Sequence, residues 1–160
     1  MDANRRTISL GFSDESTTEG CHICYIYKDE AERHQVMAKY LASGLAAGEK
    51  VLYLVDVMTP DEWRQSLRRL GVNVSAQQGS LPIGEAAMGY CPSGRFYPDE
   101  MLALIQSFHR QAIEEGYTGS RGTGEMSWCL TGGCANWDDL MSYEARINLL
   151  LEQYPYTTCC

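Results

Sequence analysis

Residues 51–57 read Val-Leu-Tyr-Leu-Val-Asp-Val, an apolar run without alternation that only Asp56 interrupts. A strand with one wet face alternates apolar and polar residues. An uninterrupted run therefore belongs to a strand covered on both faces, as in parallel sheets whose crossover helices lie above and below. The run passes at once into Thr59-Pro60-Asp61-Glu62. Thr59 can cap a helix, Pro60 suits its first position and Glu62 completes a capping box, so a helix follows within a few residues and should stop at Gly71.

The same alternation extends in both directions. Cys21 to Tyr27 (CHICYIY) is rich in aromatic and β-branched residues and reads as a first strand buried on both faces. Between Asp29 and Ala47, Met37, Leu41 and Leu45 recur four apart beside Val36 and Tyr40, the stripe of a helix on a sheet, with Gly44 and Gly48 marking its end. Ser80 to Ile83 is short, and Pro82 lacks an amide donor, so a strand there lies at an edge or is only partly paired. A helix is expected over Asp99–Glu115, stopped by Gly116. The stretch Tyr117–Leu130 reads as a strand whose carboxyl end is Glu125 to Trp128. Asn136 caps a helix over Trp137–Tyr154, and YTTCC at 156–160 begins a last strand that the chain cuts short, leaving an exposed edge. The first 20 residues are polar, without apolar period, and read as a flexible arm before a single domain over 21–160.

Strands and helices alternating with short connections define an α/β fold: three layers, a mostly parallel sheet flanked by helices. Ligands of such sheets bind outside the carboxyl ends of the strands, which here are Tyr27 and Lys28, Asp56, and Glu125 to Trp128. The 160 residues suffice for one core, and the formal charge of −8 disfavours a phosphate backbone as a direct partner. No apolar run approaches the length of a membrane span and no signal-like stretch opens the chain, so it reads as cytoplasmic, with no membrane partner.

Seven cysteines are many for this length, but an odd number without a signal peptide points to reduced thiols, most of them small core residues. Cys21-His22-Ile23-Cys24 contains a CxxC, yet on a strand Cys21 and Cys24 point to opposite sides while His22 and Cys24 share one. A metal site is therefore not expected, and no cofactor is implied. Cys134, in the Gly132-Gly133-Cys134 turn before the last helix, is the thiol best placed for activation, and the terminal pair Cys159 and Cys160 leaves a redox role open. A phosphate loop needs glycines and a Lys followed by Ser or Thr, whereas the first strand is followed by Tyr27-Lys28-Asp29-Glu30-Ala31-Glu32, without glycine and with three carboxylates. His34 and His109 fall on helices and read as surface residues, and no serine sits in a nucleophile elbow, so no catalytic residue is assigned. Glu144 shares a helix face with Leu140, Ile147 and Leu151 and requires a donor, for which Arg121 is one candidate. Glu125, flanked by Met126 and Trp128, fits a pocket wall, and Tyr27 and Tyr143 belong to elements that the sheet draws towards the same region.

Five segments taken together, HICYIY at 22–27, SGLAAGEKVLYLVD at 43–56, GRFYPDEML at 94–102, GYTGSRGTGEMSW at 116–128 and YEARINLLL at 143–151, resemble the MEDS family. This is the methanogen and methylotroph sensory domain, as in a dichloromethane-responsive repressor. The resemblance implies a sensory input domain related in fold to RecA and KaiC without a working Walker A loop, not a known enzyme, binding a small hydrocarbon derivative. It further implies a histidine-kinase or DNA-binding regulatory module as partner, in cis or in trans. Matching positions are His22, Cys24, Tyr27, Gly48, Glu49, Arg121, Gly124, Glu125, Trp128, Tyr143 and Glu144. The expected ligand site is lined by Tyr27, Trp128 and Tyr143 and oriented by Asp56, Arg121, Glu125 and Glu144. Two other readings stand beside it: a vestigial nucleotide-binding fold serving as an interaction module, which would form homo-oligomers or bind ATP without hydrolysis, and a thiol or metal sensor.

Overall fold

The computed structural model describes residues 5–74, 79–130 and 136–160. Its centre is a five-stranded sheet, parallel throughout, ordered β3 (His22–Ile23), β7 (Tyr156–Cys159), β6 (Ser120–Gly124), β4 (Lys50–Val55) and β5 (Ile83–Glu85). The apolar run at 51–57 supplies β4, between β5 and β6. Its side chains alternate between two cores: Val51, Tyr53 and Val55 pack with α1 (Glu30–Ala46) and α2 (Pro60–Arg69), whereas Leu52 and Leu54 face the layer of α3 (Ala86–Tyr90), α4 (Pro98–Glu114) and α5 (Trp137–Gln153). Three layers follow directly from that alternation.

The helix signals are realised. Thr59 caps α2 with a complete capping box to Glu62, Asn136 caps α5, and Gly48, Gly71 and Gly116 take positive φ just past their helices. Gly44 does not end α1. It lies buried within the helix, where a Cβ would meet the Arg121 side chain at 2.6 Å, so the glycine makes room for an arginine.

Several elements depart from the sequence reading. The first strand is confined to His22–Ile23 because it lies at the sheet edge with one neighbour; beyond it only the Tyr25 amide still donates to the Cys160 carbonyl, and Ile26 is exposed. The last strand, expected to end in an exposed edge, is internal, paired with β3 on one side and β6 on the other. Glu125 to Trp128 are not strand: β6 ends at Gly124, and Ser127–Cys129 form a 3-10 turn. Residues expected as a flexible arm contain a hairpin, β1 (Thr7–Ser9) with β2 (Ser16–Thr18), from which Ser9 accepts a hydrogen bond from Ser43. His109 is buried against the Ser120 hydroxyl at 2.8 Å, not on the surface. Among the described residues no helix is long and apolar enough to cross a membrane.

Candidate functional site

At the carboxyl ends of β4 and β6, beside the first turn of α1, lies a cavity of about 340 Å³. Its walls are mainly apolar and aromatic: Tyr25, Tyr27, Met37, Val57, Met126, Cys129 and Leu130. Tyr25 and Tyr27 stack with ring centroids 6.3 Å apart, and Tyr27, Val57 and Leu130 are exposed. Such a space, apolar with a few fixed polar groups, suits a small organic molecule.

The polar part of the wall is one connected network. Arg33 donates through Nη1 to Glu125 Oε1 at 2.9 Å and to Tyr53 Oη at 3.0 Å, and through Nε and Nη2 to Glu30 Oε2. Tyr53 in turn donates to Glu125 Oε1 at 3.1 Å. The other carboxylate oxygen accepts the backbone amides of Asp56 and Val57 at 2.7 and 2.9 Å, so Glu125 receives four hydrogen bonds. Burial by itself would raise the Glu125 pKa, but the two amides and the Arg33 guanidinium hold it below the usual carboxylate range. It is an ionised, saturated anchor rather than a general acid. Burial opposes the charge on Arg33, but Glu30, with Tyr53 and Glu125, raises its pKa above the ordinary value.

The residues expected at the site separate into groups. Tyr27 and Glu125 line the cavity, and Asp56 holds its rim through the amide to Glu125 and a carboxylate that accepts from Ser127 Oγ at 2.6 Å. Trp128 and Tyr143 lie in the core on the opposite face of the sheet, both packed on Phe96. Arg121 sits at the amino end of β6, fully buried, paired with Glu49 and stacked 5.0 Å above the Tyr40 ring; it does not meet Glu144. Glu144 faces His22 instead, at 3.7 Å. Sequence reasoning missed Arg33, Tyr53, Met37 and Glu30. A signal existed for Arg33: it opens the stripe that continues through Met37 and Leu41, an arginine where the helix faces the sheet.

The glycines of β6 serve packing. A Cβ on Gly122 would collide with the Tyr156 ring, and one on Gly124 with Tyr90, so these phenols lie against bare backbone. Among the thiols, Cys159 is buried and pushed up to about 12, first by burial, which opposes reactivity. Cys91 departs from the expectation of reduced thiols, being disulfide-bonded. Cys134 lies outside the described residues.

Comparison with known proteins agrees with this architecture. The profile of the MEDS family, described as the MEthanogen/methylotroph, DcmR Sensory domain, matches residues 21–160. The crystal structure of a KaiC-like protein from the hyperthermophilic archaeon Pyrococcus horikoshii OT3 is similar with a TM-score of 0.69 and 13% identity, over 98% of this chain and 71% of that one. At that identity the likeness concerns the fold. No curated protein matches in sequence.

Proposed function

We propose, from the premise that this chain belongs to the MEDS family of sensory domains, that the cavity beside Arg33 and Glu125 receives a small organic molecule of the hydrocarbon-derivative class. Family membership supports a sensory role. The observation that carries the ligand reading is the cavity itself, about 340 Å³ of mainly apolar and aromatic wall in which Arg33, Tyr53 and Glu125 are bonded to one another. A ligand that prefers one of two conformations of this end of the sheet would bias a histidine-kinase or DNA-binding module, in cis or in trans, without chemical turnover.

The experiment is thermal denaturation in the presence of halogenated, methylated and amine compounds at millimolar levels. A ligand at about ten times its Kd adds roughly 1.4 kcal/mol to stability and raises the midpoint. Met126→Trp, which fills the cavity, should remove the response. An unchanged midpoint with every compound refutes the reading. The KaiC-like fold gives a nucleotide-binding interaction module as the second reading, opposed by Asp29, Glu30 and Glu32 at the start of α1, where a phosphate loop would lead. Retention of ATP and magnesium in equilibrium dialysis would favour it.

A further inference from the structure

We infer that His22, Glu144 and Cys160 form a binding site for a divalent transition cation of the zinc class. One ligand atom from each lies within 4.8 Å of the other two. The Nε2 of His22 is 3.3 Å from the Cys160 sulfur and 3.7 Å from Glu144 Oε2. Tetrahedral coordination at zinc–nitrogen, zinc–sulfur and zinc–oxygen bond lengths places ligand atoms about 3.4–3.6 Å apart. The two distances from His22 are thus already close to tetrahedron edges, and the sulfur and the carboxylate lie within 4.8 Å of each other. The cluster is open to solvent, with His22 and Glu144 side chains 17% and 35% exposed, which leaves the fourth position to water or an exchangeable ligand.

A second shell orients the histidine. Its Nδ1 lies 3.3 Å from Asn148 Oδ1, one helical turn after Glu144 on α5. An amide oxygen can only accept, so in this contact Nδ1 carries a proton, and in the neutral imidazole the Nε2 lone pair faces the sulfur and the carboxylate. On this geometry a dication would meet all three groups. The sulfur binds as thiolate, its proton passes to solvent, and the neutral imidazole and the carboxylate complete the ligand set.

The site also has a structural consequence. His22 belongs to the two-residue edge strand β3, Glu144 to α5, and Cys160 follows β7, so one ion would join three elements at the β3 edge of the sheet. The sequence pattern pointed elsewhere, to Cys21 and Cys24, because the three ligands lie more than a hundred residues apart at their extremes and converge only through the internal position of β7.

The test is titration of the chelator-treated chain, its Cys91 disulfide left intact, with Zn²⁺ in competition with a chromophoric chelator, and with Co²⁺ as a spectroscopic probe. The expected result is one equivalent bound, a raised thermal midpoint, and a thiolate-to-cobalt charge-transfer band. Cys160→Ser should lose that band, Glu144→Gln should bind Zn²⁺ at least tenfold more weakly, and Asn148→Leu should weaken it about 10–100-fold through the orientation of His22. Variants that melt as the metal-free parent does keep folding out of the comparison. The inference is overturned if no equivalent binds, if the band survives Cys160→Ser, or if Glu144→Gln and His22→Ala bind Zn²⁺ as the parent does.

Discussion

The two ends of β6 carry the same chemistry with opposite outcomes. At the amino end Arg121 pairs with Glu49, both essentially without solvent exposure, and Arg6 bridges Glu49 to Glu19 at 2.9 and 2.6 Å. At the carboxyl end Glu125 pairs with Arg33, which also holds Glu30. The first cluster balances two guanidinium groups against two carboxylates and is sealed by the amino-terminal segment, since Arg121 Nη1 also donates to the Ser9 carbonyl. The second sets one guanidinium against two carboxylates and opens onto an apolar cavity. A buried Arg–Glu pair therefore does not identify a ligand site. The proposed ligand site rests on the wall beside it.

The largest effect that distinguishes the ends is expected from Glu49→Ala. It leaves Arg121 buried without its carboxylate, at a cost of about 3–5 kcal/mol, measurable as a lower urea midpoint with an unchanged slope. The midpoint rise produced by a cavity ligand should persist in this variant at permissive temperature. If Glu49→Ala costs less than Arg33→Ala, the amino-end cluster is not the more structural of the two.

Glu125→Gln comes next, at about 1–3 kcal/mol. The amide cannot accept from Asp56, Val57, Arg33 and Tyr53 at once, because its NH2 must face one of these sets of donors. Stability falls and the ligand-induced midpoint rise should shrink with it, since the rim at residues 56–57 is released. Retention of the full ligand response in Glu125→Gln would separate the carboxylate from the proposed site.

The same pair gives a pH dependence of defined sign. The folded pKa of Glu125 is depressed, so its contribution is fully present above the unfolded value of about 4.3 and is lost as pH falls through the lower folded value. The stability difference between the parent and Glu125→Gln should therefore be flat from pH 7 to about 5 and narrow steadily below that. Denaturation at stepped pH measures it. A difference that widens towards acid would contradict the ionised, saturated carboxylate.

How much of this was legible in the sequence differs between sheet and site. The unbroken run of β4 and the caps of α2 and α5 act through neighbours in the chain, and the three-layer fold followed from them. Strand order did not, because nothing local distinguishes an edge strand such as CHICYIY from an internal one such as YTTC. Glu125 directly follows the end of β6, where a strand terminus is expected, whereas Tyr27 lies four residues past β3 and Arg121 sits at the amino end of β6, away from the cavity. Trp128 and Tyr143 failed for another reason: aromatic residues on the α4–α5 side fill a core in the same residue types that line a pocket. Arg33 is hidden in the sequence because it continues the apolar stripe of α1, and its partner Glu125 is 92 residues away.

The smallest expected effect tests the one member of these clusters that faces solvent freely. Glu30 is 58% exposed on its side chain, so its bond to Arg33 is worth about 1 kcal/mol or less, and Glu30→Gln should alter the urea midpoint only slightly. That small cost should fall further near 1 M salt, where the screening length is about 3 Å, whereas the Glu49→Ala cost should not. The charge at the cavity changes more than the stability does. Removing Glu30 leaves Arg33 and Glu125 balanced, so the negative charge at the cavity wall falls by one, the Asp56 carboxylate remaining at the rim. Amine ligands should then lose part of their midpoint shift while neutral halogenated compounds keep theirs. Equal losses for both classes would mean that Glu30 acts on the shape of the site through Arg33, and the two clusters would differ in closure alone.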